Sequence, residues 1–163
     1  MNYNEFVFYD EDRDIVIKEI SIHNDFIDWV GEQLNAEEDL YYQVPTITPV
    51  PVPEDNMRCR HQKPNFKGID YCGMSLINEY GMPMLEKMFL QWIACLENLE
   101  EATYYPFLAD LTEKQLAQVS PADLVSLKEV FFEKEDVLKR LRLCLTCTQL
   151  LTLPHVVVCY YGL

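Results

Sequence analysis

Apolar residues in the first third of the chain follow two different periods. Residues 5–9 (EFVFY) and 15–20 (IVIKEI) are rich in β-branched and aromatic side chains and flank the polar stretch 10–14 (DEDRD). That pattern predicts two strands joined by an acidic hairpin turn. Beyond it the period lengthens, with Phe26, Ile27, Trp29, Val30 and Leu34 at helical spacing and Asp25, Asp28, Glu32 and Gln33 largely on the other side. Asn24 is placed to cap this helix, and Asp25 and Asp28 suit the positive end of its dipole. From 35 to 67 the pattern disappears. Residues 44–53 (VPTITPVPVP) alternate with prolines, which lack the ladder donor, so the stretch is predicted to run extended over the surface. A loop of this length is uncommon in a compact domain; it is either a binding loop or a connection with elements of its own.

Periodicity returns at 69–77 (IDYCGMSLI), a predicted buried strand in which Gly73 marks a close backbone approach or a bulge. Pro83 fits the first turn of the next helix, where Leu85, Met88, Phe89, Trp92, Ile93, Leu96 and Leu99 form a core stripe against Glu86, Lys87, Gln91, Glu97 and Asn98. Thr112 and Gln115 match a capping box for a short helix to about Val119. Ser120 and Pro121 then start a helix reaching the early 150s, with a break near Glu133. Residues 140–145 (RLRLCL) also alternate with period two, so a strand there is the alternative. Pro154 closes the segment and 156–161 reads as a last buried strand. The whole, 1–163, reads as a single α+β domain: about four strands in a mixed or antiparallel sheet packed by about four helices, with a long Pro-rich surface loop at about 35–67.

With 163 residues, 49% of them hydrophobic, the chain is long enough to bury roughly 70% of its unfolded surface. The 13 Lys+Arg against 27 Asp+Glu give a net charge of −14, the wrong sign for direct attraction to nucleic acid or an anionic membrane. No apolar run approaches the roughly 20 residues that span a bilayer. The start MNYNEFVFYDEDRD carries acids where a signal peptide has a basic opening, which predicts a cytoplasmic protein. The 6 cysteines are then expected as free thiols, with Cys95 and Cys159 in the core. The charge is uneven: residues 1–57 hold 14 acids and 2 bases, 58–67 hold 4 bases and no acid, and 68–163 hold 13 acids and 7 bases.

Glycines at 31, 68, 73, 81 and 162 are too scattered for a phosphate-cradling loop, and histidines 23, 61 and 155 lie far apart. Cys59 and His61 with Cys72, joined by Cys144 and Cys147, are the only metal-like spacing, but the last two fall inside a regular element rather than in turns. No cofactor and no metal are expected, and no enzyme. A small hydrolase would need a pocket joining His61 or His155 to carboxylates.

Acid and aromatic are adjacent twice: Tyr41 and Tyr42 follow Glu37, Glu38 and Asp39, and Tyr104 and Tyr105 follow Glu100 and Glu101. An acidic face serves solubility, or it captures a basic protein with the aromatics as contact area. The residues expected to bind such a partner are Asp10, Glu11, Asp12, Asp14, Asp28, Glu32, Glu37, Glu38 and Asp39, with Tyr41 and Tyr42 as anchors. An acidic nucleic-acid mimic that blocks a DNA- or RNA-binding protein is the alternative.

The strand containing Tyr71, Cys72, Gly73, Met74, Ser75, Leu76 and Ile77, the helix from Met84 to Leu99, and the C-terminal helix and strand ending Val156-Val157-Val158-Cys159-Tyr160-Tyr161-Gly162-Leu163 together have a layout that resembles bacterial immunity proteins of contact-dependent growth inhibition and other polymorphic toxin systems. The resemblance implies a cytosolic, non-enzymatic protein that neutralises a cognate toxin, frequently a basic nuclease.

Overall fold

The computed structural model describes residues 3–48 and 61–162. Strands β1 (Tyr3–Asp10) and β2 (Ile15–His23) form the expected hairpin, with a bulge that skips Ile17, since Phe8 pairs with Lys18 and Tyr9 with Val16. Two later strands, β5 (Met74–Ile77) and β8 (Val156–Tyr161), complete a sheet in the order β2-β1-β8-β5 whose neighbours are all antiparallel. Between them lie two short pairs: β3 (Pro45–Thr46) with β4 (Phe66–Lys67), and β6 (Thr103–Tyr104) with β7 (Phe132–Glu133). The α+β domain of the sequence reading is observed, with the sheet antiparallel throughout.

The helices are α1 (Asn24–Glu38), α2 (Met82–Glu97), the short α3 (Pro106–Ala109), α4 (Glu113–Ala117) and α5 (Pro121–Leu127), and α6 (Lys134–Thr148). Helix α1 has a non-helical residue at Asn35, φ 58 and ψ 166, so its regular part stops near the Leu34 that periodicity marks. Its cap differs from expectation. His23 Nδ1 accepts from the Asp25 N–H at 3.1 Å, while Asn24 is buried and takes a hydrogen bond from Asn4. The capping box at Thr112 and the serine cap at Ser120 both form.

The helix after Ser120 breaks near Glu133, as expected, into α5 and α6 with β7 between them, and 140–145 is helical, inside α6, because Leu141 and Cys144 face the core at helical spacing. Two expectations are corrected. Of 69–77 only Met74–Ile77 is a strand; Asp70 turns the preceding residues by accepting the Cys72 N–H. The 35–67 loop contains a 3₁₀ turn (Leu40–Tyr42) and the β3–β4 pair, and Val44, Thr46 and Ile47 are buried rather than on the surface. Residues 49–53 of the Pro-rich stretch, like Cys59, lie outside the described residues.

Central strands β1 and β8 decide where the core sits. On one sheet face Phe6, Phe8, Ile20, Ile22, Val156, Val158 and Tyr160 meet Phe26, Val30, Met88, Phe89, Trp92, Leu138 and Leu141 of α1, α2 and α6. On the other face Ile47, Leu76 and Val157 form a smaller cluster with Tyr9 and Cys159. Strand β8 is apolar on both faces, which is why VVVCYY runs on without polar alternation.

Candidate functional site

Of the acids expected to face a partner, several are used inside the fold. Asp10 is buried and builds the hairpin: its Oδ1 accepts the N–H groups of Asp12 and Arg13 at 3.0 and 3.1 Å. Glu11 is buried beside it, with its N–H donating to the His155 carbonyl at 2.8 Å. Asp39 is buried at the start of the 3₁₀ turn, where its Oδ1 accepts the Tyr41 N–H and the Trp92 Nε1–H, each at 3.0 Å. Burial raises the Asp39 pKa and these two donors oppose the rise. Tyr41, expected as an anchor, is 2% exposed, stacked on Trp92 with centroids 5.8 Å apart and hydrogen-bonded to Tyr160 at 2.9 Å. Asp10, Glu11, Asp39 and Tyr41 are therefore buried, and Asp39 and Tyr41 reach only the floor of a cleft along α1. Asp10 is held by a turn, Asp39 by the distant Trp92 donor and Glu11 by its own N–H on the distant His155 carbonyl, none of which a run of acids reveals.

Asp12, Asp14, Asp28, Glu32, Glu37, Glu38 and Tyr42 are exposed. Asp12 and Asp14 sit at the hairpin tip, the far end of an eight-residue strand and so about 25 Å from the β2–α1 junction. They do not join the acids of α1. Glu37 and Glu38 lie past the Asn35 break, where both N–H groups donate to Asn35 Oδ1.

What does come together is a cleft of about 350 Å³ lined by Ile27, Asp28, Gly31, Glu32, Asp39, Tyr41, Tyr42 and Tyr71. Ile27 with Gly31 and Asp28 with Glu32 are i, i+4 pairs, so the cleft runs along one flank of α1. Its outer wall is aromatic: Tyr42 is 48% exposed, and the Tyr71 hydroxyl donates to Asp28 Oδ1 at 3.0 Å. Partial burial, then the neighbouring Asp28 carboxylate, pushes the Tyr71 phenol up to about 12.

Acidity continues along the helix. Tyr104, packed on Trp29 and Phe132 at 5.9 and 5.2 Å, has its phenol pKa raised by burial and then by the carboxylates of Asp110, Glu32 and Glu101. The two acid–aromatic segments of the sequence, around residue 40 and residue 104, thus both meet α1, the first along the Ile27–Glu32 cleft and the second at Trp29. Among the described residues no lysine or arginine forms an ion pair with Asp28, Glu32, Glu101 or Asp110. Sequence reasoning missed Tyr71 as a member of this cleft, since the contact that recruits it, with Asp28, spans 43 residues.

A second cleft, about 360 Å³, lies between the ends of β1 and β2 and the start of α6, and its lining includes Tyr3, His23, Glu129, Glu133, Asp136 and Arg140. It joins a histidine to carboxylates, though not His61 or His155. His23 is committed to capping α1 and lies 2.9 Å from Asp25 Oδ2, and Arg140 is held by Asp136 at 3.1 Å and by the Ser21 carbonyl at 3.0 Å.

His61 pairs with Glu79 at 2.9 Å. Among the described residues no three His, Cys, Asp or Glu side chains are grouped to hold a metal ion, and no helix is long and apolar enough to cross a membrane. Cys144 and Cys147 are free and buried on α6, and burial raises both thiol pKa values. Comparison with protein-family models, with curated proteins and with solved structures finds no match to this chain.

Proposed function

We propose that the protein is a non-enzymatic inhibitor that captures a basic protein partner on the acidic flank of α1, in the manner of a cytoplasmic immunity protein that neutralises a toxin. The observation that carries this reading is the cleft of Asp28, Glu32, Tyr42 and Tyr71, with no described basic side chain paired to its acids. A lysine or arginine entering the cleft meets two carboxylates at the mouth and aromatic faces along its stem, the combination that gives both charge pairing and contact area. The surrounding −14 charge would speed encounter with a cationic surface over one or two Debye lengths.

Charge reversal tests the reading. Asp28→Lys with Glu32→Lys is expected to slow association with the partner about tenfold at low salt and to flatten the salt dependence. Glu37→Lys with Glu38→Lys is expected to act more weakly, because those acids lie outside the cleft. An on-rate unchanged at low salt in the first variant would sink the electrostatic assignment. Competition by DNA distinguishes the alternative, an acidic nucleic-acid mimic: a partner whose nucleic-acid groove is occupied loses DNA on binding.

A further inference from the structure

Strand β2 is the terminal strand of the main sheet, and Ile15, Val16 and Ile17 on it are 48%, 54% and 40% exposed. Lys18 and Glu19 after them are exposed as well. Three consecutive β-branched residues on an open edge present main-chain donors and acceptors with no described strand beside them. At the other end of the strand the Ser21 carbonyl is taken by Arg140 of α6, so the open part is Ile15 to Glu19. On the sheet face away from the helices, Val16 pairs with Tyr9, Glu19 pairs with Val7, and Glu5 pairs with Tyr161. An approaching strand would there meet Glu19 and, one strand further in, Glu5, with Val16 and Tyr9 as apolar neighbours.

We propose that the Ile15–Glu19 edge of β2 receives an extended lysine- or arginine-bearing segment of a partner protein as an added strand, its main chain pairing with β2 and its basic side chains meeting Glu19 and Glu5. The charge of the occupant rests on the reading of a basic partner; the strand pairing does not. A second copy is disfavoured by the repulsion of two −14 chains. It is also disfavoured by register, because a two-fold axis through an antiparallel pair sets residues of like face opposite one another. Lys18 and Glu19 point to opposite faces, so they never pair across such a joint. The bulge at Ile17 and Lys18 on the helix side are features that resist indiscriminate edge pairing.

The probe is a synthetic peptide of alternating valine and lysine, about eight residues long to cover the open edge, titrated into isotope-labelled protein and followed by amide chemical shifts and hydrogen exchange. The expected result is shifts and slowed exchange at Ile15–Glu19, with binding weakened at least about tenfold when lysine is replaced by glutamate in the peptide or when its edge amides are N-methylated. In the protein, Val16→Lys with Glu19→Lys changes exposed side chains only and is expected to weaken the peptide by a similar factor; were this variant misfolded, the N-methylated peptide decides. No shift at millimolar peptide, equal binding of the N-methylated peptide, or shifts confined to Asp28, Glu32 and Tyr71 would overturn the proposal. Concentration-dependent dimers abolished by Val16→Lys would overturn it in favour of a second copy. Peptide binding at β2 retained while partner association is unchanged in the Asp28→Lys, Glu32→Lys variant means that the α1 reading fails and this one stands; peptide binding absent while that variant associates slowly means the reverse.

Discussion

Asp39 shows how one carboxylate changes meaning between sequence and structure. It closes a run of acids, yet it holds the Trp92 indole and the Tyr41 amide inside the core. Its folded pKa is raised above 3.8, chiefly by burial, so the folded state holds the proton more tightly than the unfolded chain. The contribution to stability is then full below the unfolded pKa and declines as pH rises through the folded one. Asp39→Asn keeps an acceptor for both donors and removes the titration. Denaturant unfolding from about pH 4 to 7 is expected to show a flatter profile for this variant than for the parent. Asp39→Ala is expected to cost about 1–3 kcal/mol at neutral pH, since two buried donors lose their acceptor.

Among the elements, α1 carries most of the candidate surface and its end depends on one residue. Asn35 takes φ 58 and ψ 166, a region that side chains resist, and repays the strain by accepting two N–H groups with its amide oxygen. Asn35→Ala keeps the strain and loses the acceptor, with an expected cost of about 1–2 kcal/mol. Asn35→Gly loses the acceptor but relaxes the backbone and is expected to cost less. Thermal unfolding of the pair checks the order. The same break turns the chain so that Asp39, Tyr41 and Val44 enter the core within a few residues of Glu38. Helices α3, α4 and α5 contrast with α1: none of them has a fully buried residue, and the segment is tied to the body by the β6–β7 ladder and by Tyr104 and Phe132 against Trp29.

For the whole molecule, −14 is a cost to compactness and, under the proposed capture of a basic partner, an aid to encounter. Monovalent salt screens the self-repulsion, so the melting temperature is expected to rise between about 10 mM and 200 mM, across which the Debye length falls from about 30 Å to under 8 Å. The same series is expected to slow partner association, giving salt opposite effects on stability and on rate. A melting temperature that falls with salt would mean that attractive pairs dominate instead. Periodicity alone was enough to mark the hairpin, the Trp92 helix, both caps at Thr112 and Ser120, and the last strand, because each is set by neighbours within a few residues. Those local patterns also establish an antiparallel or mixed α+β domain and an acidic N-terminal third. Tertiary structure alone decided which acids remain on the surface. Asp10 and Asp39 find donors through a turn and through Trp92, and Glu11 is buried where its own N–H reaches the His155 carbonyl, whereas Asp28 meets Tyr71 from a distant segment. A carboxylate's role depends on the donors and low-dielectric neighbours that the fold delivers to it, and those come from residues too far along the chain for spacing to encode.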